Sequence, residues 1–592
     1  MHFKDLAQYF EKIEQTSSRL TITELLSSLL KQTSADEVDK TIYLLQGRVT
    51  PLYVRKDFGV AEKMVLRSIA SALQLEPSEV DKVYKRTGDV GLTATELRRV
   101  HTSLYQKNLS VLEVYESLYK ITETTGPGSQ EVKIQLLSEL IQSLDAVSVK
   151  YVVRLPIGVL RLGFSDMTVL DSLSWMLKGN KELRPQLEKA YHVHPDLGHI
   201  AQTLKKYGIE GVTKIHPALF TPILMMRAER LSSPSEIIEK LGKAAIEPKY
   251  DGFRLQVHYK KGKKNEVKLY SRNLDDVTYM YPDIVEGVQK DITADEIILE
   301  GEAIGYEPVS GNFLPFQETV QRKRKHGIQE KLKEIPLKLF AFEVLYINGE
   351  SLINTLYKDR RSLLEKHVKK SKIKEEQSIM VAPELVVDNK KDLELQFDDA
   401  VTKGLEGIMA KKLEGVYQPG ARGSNWIKYK RSYSAKINDT LDCLVMGYDL
   451  GKGKRTGFGI GAFLVGVYDE KDDIFKTVAK IGTGLTDEEW RSLHAKAEKL
   501  KTDHKPPLYD VDKMMATDVW VKPEIVVEIK ADEITRSPVH TAGRILKPSK
   551  SGSAFDVDIP GYALRFPRLV RFRDDKRKDE TTTVEEIEKI IK

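Results

Sequence analysis

Residues 247–254 read Glu247-Pro248-Lys249-Tyr250-Asp251-Gly252-Phe253-Arg254, and the organisation of the chain turns on this stretch. An extended backbone alternates its side chains between two faces, so Glu247, Lys249 and Asp251 share one face until Gly252 closes a turn. A lysine between two carboxylates is costly unless it is used. Its amine is nucleophilic only when neutral, and the ordinary lysine pKa of about 10.4 means that a working site must supply cations or desolvation to lower it. A surface Lys–Asp pair at a turn is the plain alternative. A bare Lys-x-Asp-Gly arises by chance in roughly one chain of six at this length, taking about 6–7% usage for each residue type, so the motif gains weight only from its company.

That company is ordered. Short alternating segments (Ala245 to Pro248, Leu255 to Tyr259, Val267 to Tyr270, Ile297 to Glu302, Leu337 to Tyr346) indicate a mixed α and β region beginning near His216-Pro217. Along it come Ser271-Arg272-Asn273, Glu300-Gly301-Glu302, Phe342-Glu343, Glu406-Gly407-Ile408-Met409-Ala410-Lys411 and Arg422-Gly423-Ser424-Asn425-Trp426-Ile427-Lys428-Tyr429-Lys430. The period of two puts Lys428 and Lys430 on one strand face and Glu300 and Glu302 on another. Two lysines can grip a polyphosphate and lower a nucleophile's pKa, while acidic residues can hold Mg²⁺ through oxygen ligands beside phosphate. Phe342 offers a flat face for a base. Singly, each has a dull reading: Glu302 a solvated carboxylate, Arg272 a turn residue, Glu406 a charge at a helix start, Lys428 and Lys430 an exposed edge that discourages sheet pairing. The ordered set is what chance does not supply.

Upstream, the first 215 residues carry Leu, Ile, Ser, Glu and Lys at helical spacing. Thr21 and Glu24 fit a capping box, and Gly126-Pro127-Gly128-Ser129 marks a break between helices. Lys85-Arg86-Thr87-Gly88-Asp89-Val90-Gly91 reads as a polar turn able to hold a phosphate through backbone N–H groups and its two cations. From its residues alone, a solvated loop between helices is the plainer account. Beyond about residue 431 the pattern is nearly all strand and turn (LDCLVMGY, GAFLVGVY, KTVAKIGTG, EIVVEIK), ending in a helix opened by Thr583 and Glu586, and a small barrel is expected. The glycine-rich Gly451 to Gly461 lacks a following helix and reads as a basic hairpin, not a dinucleotide loop.

Composition excludes other classes. At 592 residues, with 41% hydrophobic and 30% charged, the chain has the balance of a soluble protein of three or four domains. No apolar run approaches a spanning helix and the first thirty residues are unlike a signal peptide, so an intracellular protein is expected. The net charge of +6 carries no basic tail, so any basic surface must be made by folding. Cys443 is the single cysteine, which excludes an intrachain disulfide and a four-cysteine zinc site. Neither a Walker phosphate loop nor HExxH is present.

Taken together, the series resembles the nucleotidyltransferase motifs of ATP-dependent DNA ligases, most closely the archaeal and eukaryotic replicative type, over essentially the whole chain. The resemblance implies an all-α DNA-binding domain (1–215), an α/β adenylation domain (216–430) and a C-terminal OB-fold β-barrel (431–592). It implies Lys249 as the residue adenylated and Glu247 as the reader of the adenine amino group. Arg254 and Arg272 would contact the nucleotide, and Phe342 would stack on adenine. Glu302 would serve ribose or metal, Glu406 metal, and Arg422, Lys428 and Lys430 the phosphates. The stretch Phe566 to Lys576 resembles the family's last motif, with Arg571, Arg573, Asp575 and Lys576 helping to orient pyrophosphate. Arg86, Thr87 and Gly88, with Arg161 and Gly163, resemble the family's DNA contacts, and Ser537 to Gly543 a stretch of its OB domain. Glu300 stands where Asp is usual, Glu343 where Asp often follows the aromatic, and Thr581 where Ala is common, which leaves charge or size in place.

The resemblance further implies ATP and Mg²⁺, with Mn²⁺ as a substitute ion, nicked double-stranded DNA as substrate, a monomer, no membrane and a sliding clamp as partner. A prokaryotic cytoplasmic setting is expected, and a nuclear one if the source is eukaryotic. Arg322-Lys323-Arg324-Lys325 could pass for a nuclear signal but is read as DNA-facing or solvated. A capping guanylyltransferase or RNA ligase would share the lysine series without requiring the helical region. An NAD-dependent ligase would need zinc-finger cysteines, and a noncatalytic clamp would not need the intact lysine and acid set.

Overall fold

The computed structural model describes residues 1–592 apart from 102–105, 307–312, 315, 325–326, 371–376, 403–404, 431–439, 452–456, 483–484, 532, 549–554 and 592. The chain forms two compact units, Met1–Arg431 and Ser432–Lys592.

In the first unit, the described residues between Phe3 and Thr213 fold as helices around one apolar core that includes Phe3, Phe10, Leu26, Leu118, Val152 and Leu173. Gly126 and Gly128, both with positive φ, hold the expected break before helix Ser129–Ser143. Two local expectations are corrected. Thr21 and Glu24 do not form the cap: helix Arg19–Gln32 starts earlier, because Ser18 has the extended backbone a cap requires and accepts the Thr21 N–H at 3.3 Å. The polar turn is also shorter than its residues suggest. Helix Pro77–Thr87 runs through Arg86 and Thr87 to left-handed Gly88, and Asp89 caps helix Val90–Val100 by accepting the Leu92 N–H at 2.8 Å.

The rest of the first unit is built on two sheets. The first contains β1 (Arg227–Arg230), β2 (Ala244–Lys249), β9 (Leu385–Val387), β10 (Gly407–Lys412) and β11 (Arg422–Lys430), in the order β1-β11-β10-β2-β9. The second contains β3 (Phe253–Lys260), β4 (Glu266–Ser271), β5 (Glu296–Gly305), β6 (Leu337–Ile347) and β7 (Glu350–Ser351), in the order β4-β3-β5-β6-β7, with β8 (Ile379–Val381) parallel to β6. Helices Pro282–Asp291 and Tyr357–His367 pack on the second sheet, burying Ile284, Val288 and Leu364 against Leu299, Leu339 and Val344. Lys249 ends β2 and Phe253 begins β3, so residues 250–252 carry the chain from one sheet to the other. This crossing requires glycine: a Cβ on Gly252 would stand 2.1 Å from the Ala303 carbonyl oxygen of β5.

In the second unit, β12 (Leu441–Leu450), β13 (Ile460–Asp469) and β14 (Ile474–Ile481) form an antiparallel meander, and strand Val526–Lys530 joins β12 to strand Arg568–Phe572. Alternation along β12 sends Cys443 and Val445 into one apolar core and Leu444 and Met446 into another, so both faces are covered. This is the sheet-rich OB-fold domain. The Gly451 N–H donates to the Gly459 carbonyl at 3.2 Å and closes the described base of the β12–β13 hairpin, whose residues 452–456 lie outside the described set. Thr583 and Glu586 cap the last helix reciprocally. Strand and turn are not the whole of this unit, however: Thr486 and Glu489 open helix Asp487–Lys499, which packs Trp490 and Leu493 onto the core. Among the described residues no helix is long and apolar enough to cross a membrane.

Candidate active site

A cavity of about 480 Å³ opens beside the crossing between the two sheets. Glu247, Lys249, Arg254, Arg272, Glu302, Phe342, Glu406, Arg422, Lys428 and Lys430 all line it. Register explains the convergence. β10 lies between β2 and β11, so Gly407 pairs with both Lys249 and Lys430, and Met409 with both Glu247 and Lys428. Gly407, at φ 142, keeps the backbones close, since its Cβ would lie 2.2 Å from the Tyr429 carbonyl oxygen.

At the mouth, Glu406 takes Lys249 Nζ at 2.5 Å and Lys430 Nζ at 2.8 Å on the same oxygen, while its other oxygen accepts from Lys430 at 2.9 Å. Burial works to raise the Glu406 carboxyl, but Lys249 and Lys430 prevail and hold it below the ordinary range. Lys428 is pushed down by burial and then by Lys430, Lys249, Arg422 and Arg272, a crowd of like charges suited to a polyanion. Arg272 and Arg422 are exposed and free to swing toward one. Glu302, half-buried on β5 opposite Arg254, is raised to about 7, first by burial and further by Glu406 and Asp251, against Lys249 and Arg254. A carboxyl raised chiefly by burial, with two other carboxylates near it, suits a divalent cation, and Mg²⁺ typically takes one or two protein carboxylates and completes its shell with phosphate and water. Glu302 and Glu406 fit that role.

The deep end is ordered differently. Glu247 is buried, accepting from Lys411 at 2.7 Å, from Tyr357 Oη at 2.8 Å and from Arg361 at 3.3 Å. A carboxylate has about four lone-pair sites, so one acceptor position remains. Phe342 is half-buried, with Trp426 edge-on at 5.9 Å between ring centroids. Arg254 donates to Glu300 at 2.6 Å and to the Met226 carbonyl at 2.7 Å, and lies over the Phe342 and Trp426 rings. Its charge is therefore compensated by Glu300, which is fully buried.

Models of the ATP dependent DNA ligase domain, the DNA ligase N terminus and the ATP dependent DNA ligase C terminal region match residues 225–430, 2–174 and 456–576. A probable DNA ligase of Dictyoglomus turgidum is 46% identical over 588 residues, covering 99% of this chain and 97% of the relative. The chain belongs to the ATP-dependent DNA ligases. DNA ligase 2 of Thermofilum pendens is 41% identical over 600 residues, covering 99% of this chain and 96% of the relative. The DNA ligase of Sulfolobus acidocaldarius is 38% identical over 600 residues, covering 99% of this chain and 97% of the relative. Among solved structures, Pmar-Lig_PreS3 shares the fold at a TM-score of 0.53 and 18% identity, covering 96% of this chain and 99% of that one.

The remaining ligase residues singled out by sequence are engaged locally. Arg86 pairs with Glu96, and Thr87 Oγ1 meets Thr93 Oγ1 at 2.7 Å. Arg161, itself in a left-handed backbone, binds Asp89 at 2.9 Å, and buried Arg154 grips the same carboxylate at 2.9 and 3.0 Å. The helix junction at Gly88 and the loop carrying Arg161 and Gly163 are thus tied through Asp89. In the second unit, Arg573 and Lys576 both hold Asp442, at 2.9 and 2.8 Å. Arg571 donates to Glu528 at 2.6 Å, and Asp575 is pulled down to about 2 by Arg573.

In the basic run 322–325 the solvated reading is corrected at Arg322 alone, while Lys323 and Arg324 are exposed. Arg322 is buried, donating to Asp283 and to the Ile335 carbonyl at 2.9 Å each, and Lys323 lines the cavity. Lys325 lies outside the described residues. Arg227, Lys411 and Trp426 also line the cavity and escaped the sequence reading. Lys411 and Trp426 stood inside the quoted motifs, but only strand register shows which way they face.

Proposed function

We propose that Lys249 carries AMP during nick sealing. As an ATP-dependent DNA ligase, the chain joins 5′-phosphate and 3′-hydroxyl ends of nicked duplex DNA in replication, repair and recombination. The lysine amine attacks the α-phosphate of ATP and releases pyrophosphate, the AMP passes to the 5′-phosphate, and the 3′-hydroxyl then displaces AMP. The observation that supports the assignment is the position of Lys249 at the sheet crossing, in one cavity also lined by Glu247, Arg254, Phe342, Lys428 and Lys430. Lys249 Nζ lies 2.5 Å from Glu406 Oε2, so this contact must part before the amine can attack the α-phosphate.

In this reading Glu247 meets the adenine amino group, Phe342 stacks on the ring, and Arg254 orients the nucleotide from its anchorage on Glu300. Arg272, Arg422, Lys428 and Lys430 neutralise the phosphates. Glu302 and Glu406 hold Mg²⁺, or Mn²⁺ in its place, which when bound stabilises charge on the phosphate oxygens. Arg571, Arg573, Asp575 and Lys576 orient the departing pyrophosphate, and Arg86, Thr87, Gly88, Arg161 and Gly163 face DNA. The domain boundaries are placed near 215 and 430, and the enzyme works as a cytoplasmic monomer that can be recruited by a sliding clamp. The relatives named above are bacterial and archaeal, which favours that setting.

The test is covalent labelling with α-labelled ATP, followed by sealing of a fluorescent nicked duplex with ATP or NAD⁺. Wild type is expected to take label and to join DNA with ATP alone, and Lys249→Ala to do neither. Label on Lys249→Ala would refute the nucleophile. Label without joining would redirect the reading to RNA.

A further inference from the structure

We propose that Lys411 is a positioning residue that holds Glu247 and Phe342 in register as the two recognition surfaces for the purine, and thereby sets the preference for adenine over a 6-oxo purine. The inference rests on the base-reading role proposed for Glu247.

Lys411 is 1% exposed, yet two of its three N–H donors meet oxygen acceptors. One reaches Glu247 Oε2 at 2.7 Å and one the Phe342 carbonyl oxygen at 2.7 Å. The ammonium also lies 4.8 Å from the Tyr357 and Trp426 ring centroids and 5.0 Å from that of Phe342. Such a box of aromatic faces stabilises a desolvated cation. The strand order puts it there: Lys411 on β10 pairs with Ala245 of β2 on one side and Trp426 of β11 on the other, two residues along from Met409, which pairs with Glu247. One ammonium therefore joins the carboxylate at the base edge to the strand that carries the stacking ring.

The chemical consequence concerns the sense of the hydrogen bond. An ionised Glu247 only accepts, which suits the 6-amino group of adenine and opposes the 6-oxo group of hypoxanthine or guanine. A protonated Glu247 could donate to that oxygen. Burial raises the Glu247 carboxyl, Lys411 is the largest influence against the rise, Arg361 helps, and Glu384 adds to it. Removing Lys411 takes away the nearest cation and the tie to Phe342 together.

The experiment measures enzyme–AMP and enzyme–IMP formation from ATP and inosine triphosphate, which differ at the purine 6-position and N1. Wild type is expected to favour ATP in kcat/KM by at least about tenfold, since a site built around one hydrogen-bonding group rejects its opposite. In Lys411→Met the preference should shrink to within about threefold and KM for ATP should rise about tenfold, with the rate at saturating ATP changing far less, the pattern of lost ground-state binding. Glu247→Gln should lose the preference too, and the double variant should lose no more than Glu247→Gln alone, because both changes remove one interaction. If Glu247→Gln keeps the wild-type preference, the base-reading role falls and the inference with it. If Glu247→Gln loses it while Lys411→Met keeps both preference and KM, only the inference falls. Should Lys411→Met not fold, the double variant, which leaves neither partner buried without the other, decides: a further loss beyond Glu247→Gln overturns the coupling.

Discussion

Replacing Glu302 by glutamine should make the nucleotide-free protein more stable at alkaline pH and leave it nearly unchanged at acid pH. The Glu302 carboxyl is raised from an ordinary 4.5 to about 7 in the folded chain, chiefly by burial. The folded state therefore binds more protons than the unfolded one between those values, and stability falls as pH rises through that window. The contribution is fully present below pH 4.5 and lost above about 7. At about 1.4 kcal/mol per pKa unit the loss is about 3 kcal/mol, an upper bound for a half-buried group that water partly screens, and a sizeable share of an ordinary domain's stability. Glutamine keeps the shape and cannot ionise. Urea unfolding of wild type and Glu302→Gln, free of Mg²⁺ and nucleotide, at pH 5, 6, 7 and 8 should show a gap in favour of the variant that opens between pH 5 and 8. A gap independent of pH, or one opening in wild type's favour, would refute the argument. With Glu302 holding Mg²⁺ as proposed, the ion must displace the same proton in wild type, so its apparent affinity should climb about tenfold per unit below pH 7 and level off above it.

Gly252→Ala should abolish adenylation, because its Cβ would stand 2.1 Å from the backbone oxygen of Ala303 and the crossing from β2 to β3 would have to move; undiminished labelling from α-labelled ATP would contradict the crossing geometry. Glu343→Gln should cost about 3–5 kcal/mol in urea unfolding, since Arg360, bound to both carboxylate oxygens at 2.8 Å, would keep a buried charge without its partner. Binding to nicked duplex should weaken steeply with salt, with a slope independent of the sequence around the nick, as phosphate contacts require; a filter-binding titration over 50 to 200 mM salt, roughly the range in which such contacts lose most of their effect, measures it.

The strands of the catalytic region were legible as short strand-like segments: those read at Ala245 to Pro248 and Ile297 to Glu302 lie within β2 and β5, although both strands are buried over most of their length. The period of two found Lys428 and Lys430 together on the cavity face. What alternation cannot supply is the neighbour. That β10 lies between β2 and β11, and so brings Lys411 against Glu247, depends on a register fixed by tertiary packing. Alternation puts Glu300 on the same face as Glu302, yet it sits fully buried and paired with Arg254. Arg322 reads as surface because charge runs usually are, and folding satisfies it instead with Asp283 and a backbone carbonyl. Helix Asp487–Lys499 was hidden by the strands around it, although Thr486 and Glu489 carried a capping signal that a scan of that stretch would have found.

The two ends of the cavity also differ in what they lack. Around Glu247 and Arg254 every charge is already matched, Glu247 by Lys411 and Arg361 and Arg254 by Glu300, so the purine proposed to bind there would require little rearrangement. Around Lys428 and Glu302 like charges also crowd one another, although Glu406 pairs with both Lys249 and Lys430. Lys428 is pushed down by burial and four surrounding cations, while Glu302 is pushed up by burial and two neighbouring carboxylates. Both shifts run toward the neutral form, and both are opposed by a ligand carrying polyphosphate and a divalent cation together. Such a ligand relieves the repulsion among the lysines and among the acids at once, and it competes with Glu406 for Lys249. A nucleotide without the metal answers only the lysines, and the metal without the nucleotide only the acids. In the proposed reading, Lys249 is therefore released from Glu406 most readily when both arrive.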